Sequence, residues 1–130
     1  MKTTKAVIAG SGIPARLVNA VIRQLGGKES LEDIANHGID GGYSGFIHHA
    51  ETCAFYKRNK TEILKLAEDL AEGMGEDMLT MISNFGCLRD ANLRPTEIMD
   101  GLNGRGEMAV PIQNAMAWLA AEEVARAFED

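Results

Sequence analysis

Three side chains fall close together in the stretch His48-His49-Ala50-Glu51-Thr52-Cys53, and imidazole and thiol are the two groups most able to hold zinc or to drive nucleophilic chemistry. His49 and Cys53 are four residues apart, so a helix would turn both to one side. A tetrahedral zinc site needs about four ligands, so Cys87, His37 or Asp40 would have to complete it. None of these belongs to a CxxC or HExxH pair. A Cys–His nucleophile built on Cys53 or Cys87 would also need an orienting third group and an oxyanion donor, and no local signature supplies either. The reading is therefore that Cys53 belongs to the core and that the histidines rim a pocket or surface.

A second chemical pattern lies at Gly10-Ser11-Gly12-Ile13-Pro14-Ala15, the G-x-G-x-x-A spacing that opens dinucleotide-binding folds. There the glycines let the backbone approach a pyrophosphate, and a helix N-terminus meets its charge. The fingerprint also needs a strand before the turn and a second strand after the helix. Residues 5–9, KAVIA, could be one strand, but the following GGKESLEDIANHG reads as another capped helix. A single strand cannot make a parallel sheet. The sequence therefore predicts no bound nucleotide, no metal and no cofactor, with residues 1–13 a short extended arm.

A third pattern is acidic. Glu68, Asp69, Glu72, Glu76 and Asp77 could imitate a row of phosphates and occupy a nucleic-acid site on a partner; a merely solvated helix face is the competing reading. Tyr43, His48 and His49, beside a glycine loop, form a second candidate contact surface. The cluster Lys57, Arg58 and Lys60 is too short for a nucleic-acid site of its own.

The elements that must position these groups are helical. Leu17, Val18, Val21, Ile22 and Leu25 form an i, i+3, i+4 stripe over about residues 14–25, with Pro14 in the first turn and Gly26-Gly27 at the end. A short helix over about 31–37 is capped by Ser30 and Asp33. Four glycines fall between Gly38 and Gly45, and at least one of Gly38, Gly41, Gly42 and Gly45 should take a positive φ. A third helix runs from near Phe46 to Arg58, with Ile47, Ala50, Ala54 and Phe55 on one face. Asn59 is the expected N-cap of the fourth, with Glu62 three residues on. Its buried stripe is Ile63, Leu64, Ala67, Leu70 and Ala71; Lys65 and Asp69 make a favourable outer pair, and Gly73 ends it. A fifth helix spans about 75–85, with Met78, Leu79, Met81 and Ile82 inward. A longer loop region, 86–107, holds a short turn over 96–102 after Pro95 and a flexible break at 103–107. The last helix, about 110–128, turns Val110, Ala117, Ala120, Ala121, Val124 and Phe128 inward, flanked by Met116 and Trp118.

Bulk composition agrees. The 130 residues suit one domain, and 45% apolar with only 5% aromatic residues favours a helical core over a β-sandwich. The expected architecture is all-α: a single-domain bundle of about six helices over residues 1–130. A formal net charge of −6 argues against direct nucleic-acid binding and suits a partner with a basic surface. No signal segment or membrane-length apolar run is present, so the expected setting is a reducing cytoplasm with two thiols.

One block is familiar as a whole. His37, Gly38, Asp40, Gly42, Tyr43, Gly45 and Phe46, with the closing segment Trp118 to Arg126, resemble a family of small proteins of bacteriophages and integrated mobile elements. The resemblance runs from about residue 30 to the end. The sequence departs from it at His48-His49 and in a longer polar stretch over 86–107. The resemblance implies context rather than chemistry: an accessory protein that binds host machinery, with anti-CRISPR and other anti-defence inhibitors the prominent class. The leading expectation is thus a non-enzymatic inhibitor of a host CRISPR effector complex, in the cytoplasm of a bacterial host, acting by steric or acidic-mimic occlusion. The alternatives are a small enzyme or metal-binding protein using the Gly38–Cys53 segment, and a dimeric structural accessory protein.

Overall fold

A computed structural model describes residues 2–27, 49–74, 82, 88 and 91–129. Among these residues there are six helices and no strand: α1 (Thr4–Gly10), α2 (Ala15–Gln24), α3 (His49–Arg58), α4 (Lys60–Met74), α5 (Pro95–Leu102) and α6 (Ala109–Ala127). The all-α expectation holds. No described helix is long and apolar enough to cross a membrane.

The core is organised around α6. Ala115, Met116 and Ala117 are buried, and so are Leu119, Ala120 and Ala121. Three consecutive helical residues point in three directions, so α6 is enclosed rather than laid on a surface. Its alanines let neighbours come close, and α2, α3, α4 and α5 all pack against it. Pro111 sits in the first turn of α6, where its missing N–H leaves no gap in the ladder. Ile63 of α4, Leu17, Val18 and Val21 of α2, Phe55 and Tyr56 of α3, and Ile98 and Leu102 of α5 are among the side chains that join it in the core.

Two helix ends follow from glycine. After α2, the Gly26 amide donates to Arg23 and that of Gly27 to Ile22, with Gly26 at φ 79°. After α5, the Gly104 amide donates to Gly101 and that of Arg105 to Asp100, with Gly104 at φ 84°. Both are Schellman ends, which an L side chain at the left-handed position strains. Residues 103–107, expected to be a flexible break, are therefore a hydrogen-bonded turn, and the short turn expected over 96–102 is a two-turn helix. Replacing Gly104 by Val should cost about 1 kcal/mol or more. Urea denaturation checks this, and an unchanged midpoint would show that the turn does not depend on the left-handed residue.

Several local expectations are corrected. Residues 4–10 are helix, not an extended arm. The Thr3 hydroxyl accepts from the Ala6 amide at 3.2 Å, and Val7 is buried against the bundle, so a cap and one anchor outweigh the β-preference of Val7-Ile8. The run that a dinucleotide fold would need as its first strand is thus a helix. Pro14 is the cap residue before α2, not part of its first turn; its carbonyl accepts from Leu17 and Val18. Asn59 does not cap α4 with its carboxamide oxygen. Its side-chain N–H donates backward to the Phe55 carbonyl at 2.9 Å, closing α3. Its presumed capping partner Glu62 instead meets Arg16 of α2 at 3.4 Å.

In α3 the inner face is Thr52, Phe55 and Tyr56, with Ala50 exposed and Ala54 only half-buried, so the face is turned from the one expected. In α6 Val110 is exposed at 45%, because the first turn buries Ala109 and Ile112 and so turns Val110 outward, and Leu119 is a further inward position not expected. The helices expected over 31–37 and 75–85 and the glycine loop lie outside the described residues, apart from Ile82, which is helical and buried as expected.

Candidate functional site

The outer face of α4 is fixed by its inner one. Ile63, Leu66 and Ala67 are buried, with Leu64, Leu70 and Ala71 half-buried beside them. The stripe is the expected one with Leu66 added, which moves its centre away from Leu64. On the opposite face of the helix Lys65, Glu68, Asp69 and Glu72 recur at intervals of three and four and are all exposed. Three carboxylates and one ammonium therefore share one wet face. Within the described residues none of the three carboxylates is ion-paired. Lys65 and Asp69 do not form their expected pair: a base one turn before a short acid is the weaker orientation along a helix. Such a face projects a negative potential over about a Debye length, ~8 Å at physiological salt.

Glu76, Asp77, Tyr43 and His48 lie outside the described residues, so the acidic face consists here of Glu68, Asp69 and Glu72. His49 opens α3, one turn before Cys53 on the same helix. The Cys53 thiol is half-buried and donates to Asn114 Oδ1 at 3.3 Å, across the seam between α3 and α6. That contact places Cys53 in the packing of the bundle. Among the described residues no three His, Cys, Asp or Glu side chains converge on one point; His37, Asp40 and Cys87 lie outside them.

One feature escaped the sequence. A cleft of about 840 Å³ opens between α1, the Ser11–Ile13 turn, α4 and the end of α6. Its floor is apolar, from Val7, Ile13, Leu66 and Leu70, and Asp69 joins it to the acidic face. The chain just before α1 is tethered beside it: the Lys2 amide donates to the Phe128 carbonyl at 2.9 Å, which holds the start of α1 near the end of α6. Arg126, on the far wall, is held by Glu123 at 2.5 Å and Glu122 at 3.7 Å. The signal available in the sequence was Thr3 as a helix cap, which would have made residues 4–10 a packing element rather than an arm.

Compared with known proteins, residues 18–129 match the family model described as "Domain of unknown function (DUF7222)". No curated protein and no solved structure matches the chain.

Proposed function

The chain belongs to the DUF7222 family, whose description assigns no activity, and from that premise we propose that it works by binding another protein rather than by catalysis. The observation that carries this reading is the exposed row Glu68, Asp69 and Glu72 on one face of α4. Carboxylates gathered at this spacing suit a basic partner surface, and a partner that uses such a surface to hold nucleic acid would be blocked by it. The resemblance to small proteins of phages and mobile elements supplies the partner class: a host defence complex, a CRISPR effector first among them, in the cytoplasm of a bacterial host. Occlusion would be steric, charge-mimicking or both.

The experiment is capture from a host lysate with identification of what co-purifies, followed by association kinetics with the purified partner at several salt concentrations. Changing Glu68, Asp69 and Glu72 together to Lys should move stability by less than about 0.5 kcal/mol, since all three are exposed. Association should slow roughly tenfold or more, and its salt dependence should flatten. A triple variant that associates at the wild-type rate across salt would remove the acidic face from the reading.

A further inference from the structure

The cleft beside Asp69 has the build of an anchor pocket, and it sorts charge between its walls. Its α4 wall carries Asp69, with Glu68 and Glu72 beyond on the same helix. Its α1 wall carries Lys2, and α1 itself has the exposed Lys5 and no acidic residue. Arg126 and Glu123 neutralise each other across one turn of α6. Between the walls the floor is Val7, Ile13, Leu66 and Leu70. Interfaces gain most of their binding energy from an apolar or aromatic side chain seated in such a pocket, while charges at the rim set encounter and register.

We infer that this cleft receives a short peptide segment of the partner protein, with an apolar anchor side chain in the cleft and a Lys or Arg about one helical turn away over Asp69. The inference rests on the acidic-face reading and assigns it a division of labour. The carboxylates of α4 govern how fast the partner arrives, and the cleft governs how long it stays. Polarity follows from the walls: the basic end of the segment lies over α4, and an acidic residue or free carbonyls lie over Lys2. One wall comes from residues before the family-matched span, and the facing wall from residues within it.

Gly10 makes the inference testable without disturbing the core. It lines the cleft, it ends α1 at an ordinary φ, and a Cβ added there meets nothing within 4 Å. Gly10→Phe should fold normally and fill the cleft. Ala6→Trp, at another exposed cleft-lining position of α1, serves if the first variant does not fold. The probe is a displayed library of random dodecapeptides selected on the intact protein. Expected enrichment is an apolar or aromatic residue three or four positions from Lys or Arg. The selected peptide should bind at least tenfold more weakly to Gly10→Phe, through faster dissociation. The Glu68, Asp69 and Glu72 to Lys variant should instead slow its association. Basic peptides that bind wild type and Gly10→Phe alike would overturn the cleft inference and leave the acidic-face reading standing. No enrichment at all would overturn the cleft inference. Self-association abolished by Gly10→Phe would also overturn it, because a second copy of the chain would then be the occupant.

Discussion

Replacing Gly101 by Val is expected to destabilise the protein by about 3 kcal/mol, and replacing it by Ala by about 1–2 kcal/mol, although each puts a better helix former into a helix. Gly101 is buried near the end of α5, where α5 crosses α6. A Cβ there would collide with Ile112 Cδ1, and would lie 3.0 Å from Ile112 Cβ and 3.1 Å from its Cγ2. The Cδ1 contact could be relieved by rotating a side chain. The Cβ contact could not, because Ile112 Cβ is fixed to the α6 backbone, so the two helices would have to separate. Separation would also stretch the bond from Gln113 Nε2 to the Gly101 carbonyl, now 3.1 Å. The intrinsic gain of Ala over Gly in a helix, about 1 kcal/mol, is therefore outweighed. Chemical denaturation checks this, and a double-mutant cycle gives the cause. Gly101→Ala should cost nearly as much when Ile112 is already Val, because the Cβ and Cγ2 contacts remain after Cδ1 is gone. If Gly101→Ala instead raises the midpoint, as at a solvent-facing helical glycine, the close approach of α5 and α6 is not what selects glycine.

The same residue shows where sequence reasoning succeeds and where it stops. A period of 3.6 is legible when the stripe is long: Leu17, Val18, Val21 and Leu25 are all buried as their spacing requires, and Gly26-Gly27 ends that helix. The acidic face of α4 was legible for the same reason, since the positions left over from a buried stripe must be wet. Residues 96–102 read only as a short turn after Pro95, because eight residues show too little of a period, and the letter of Gly101 does not say that it serves a contact with a distant residue. Helix α1 was missed because seven residues with one buried side chain cannot display a period, so Val7-Ile8 read equally well as strand. Asn59 stands between two helices, and its letter does not say which end it serves; the carboxamide closes α3. The cleft was invisible for a stronger reason. Lys2 meets Phe128, nearly the full length of the chain away, and no local pattern encodes that contact.

Tyr56 should make the protein sensitive to alkali in a way that a single substitution removes. It is fully buried on α3, and its hydroxyl donates to the Leu102 carbonyl at 2.6 Å. Leu102 is the last residue of α5, so this carbonyl is one of the four that a helix end leaves without an intrahelical partner. Tyr56→Phe takes away the donor and should cost about 1–2 kcal/mol at neutral pH. Burial also pushes the phenol up to about 12 from its ordinary 10.0, because a phenolate there would lose its water. A raised folded-state value fixes the sign. Below pH 10 the phenol is neutral in both states and its contribution is complete. Between pH 10 and 12 the unfolded chain releases the proton while the folded protein keeps it, so stability falls as pH rises. Two units correspond to about 2–3 kcal/mol. Urea denaturation of wild type and Tyr56→Phe at pH 7, 10, 11 and 12 separates this group from the lysines, which titrate in both proteins. The advantage of wild type over the variant should hold to about pH 10, then shrink and vanish by pH 12. Curves that stay parallel throughout would mean that Tyr56 ionises as easily in the fold as out of it, and that the link from α3 to the end of α5 is not sealed from water.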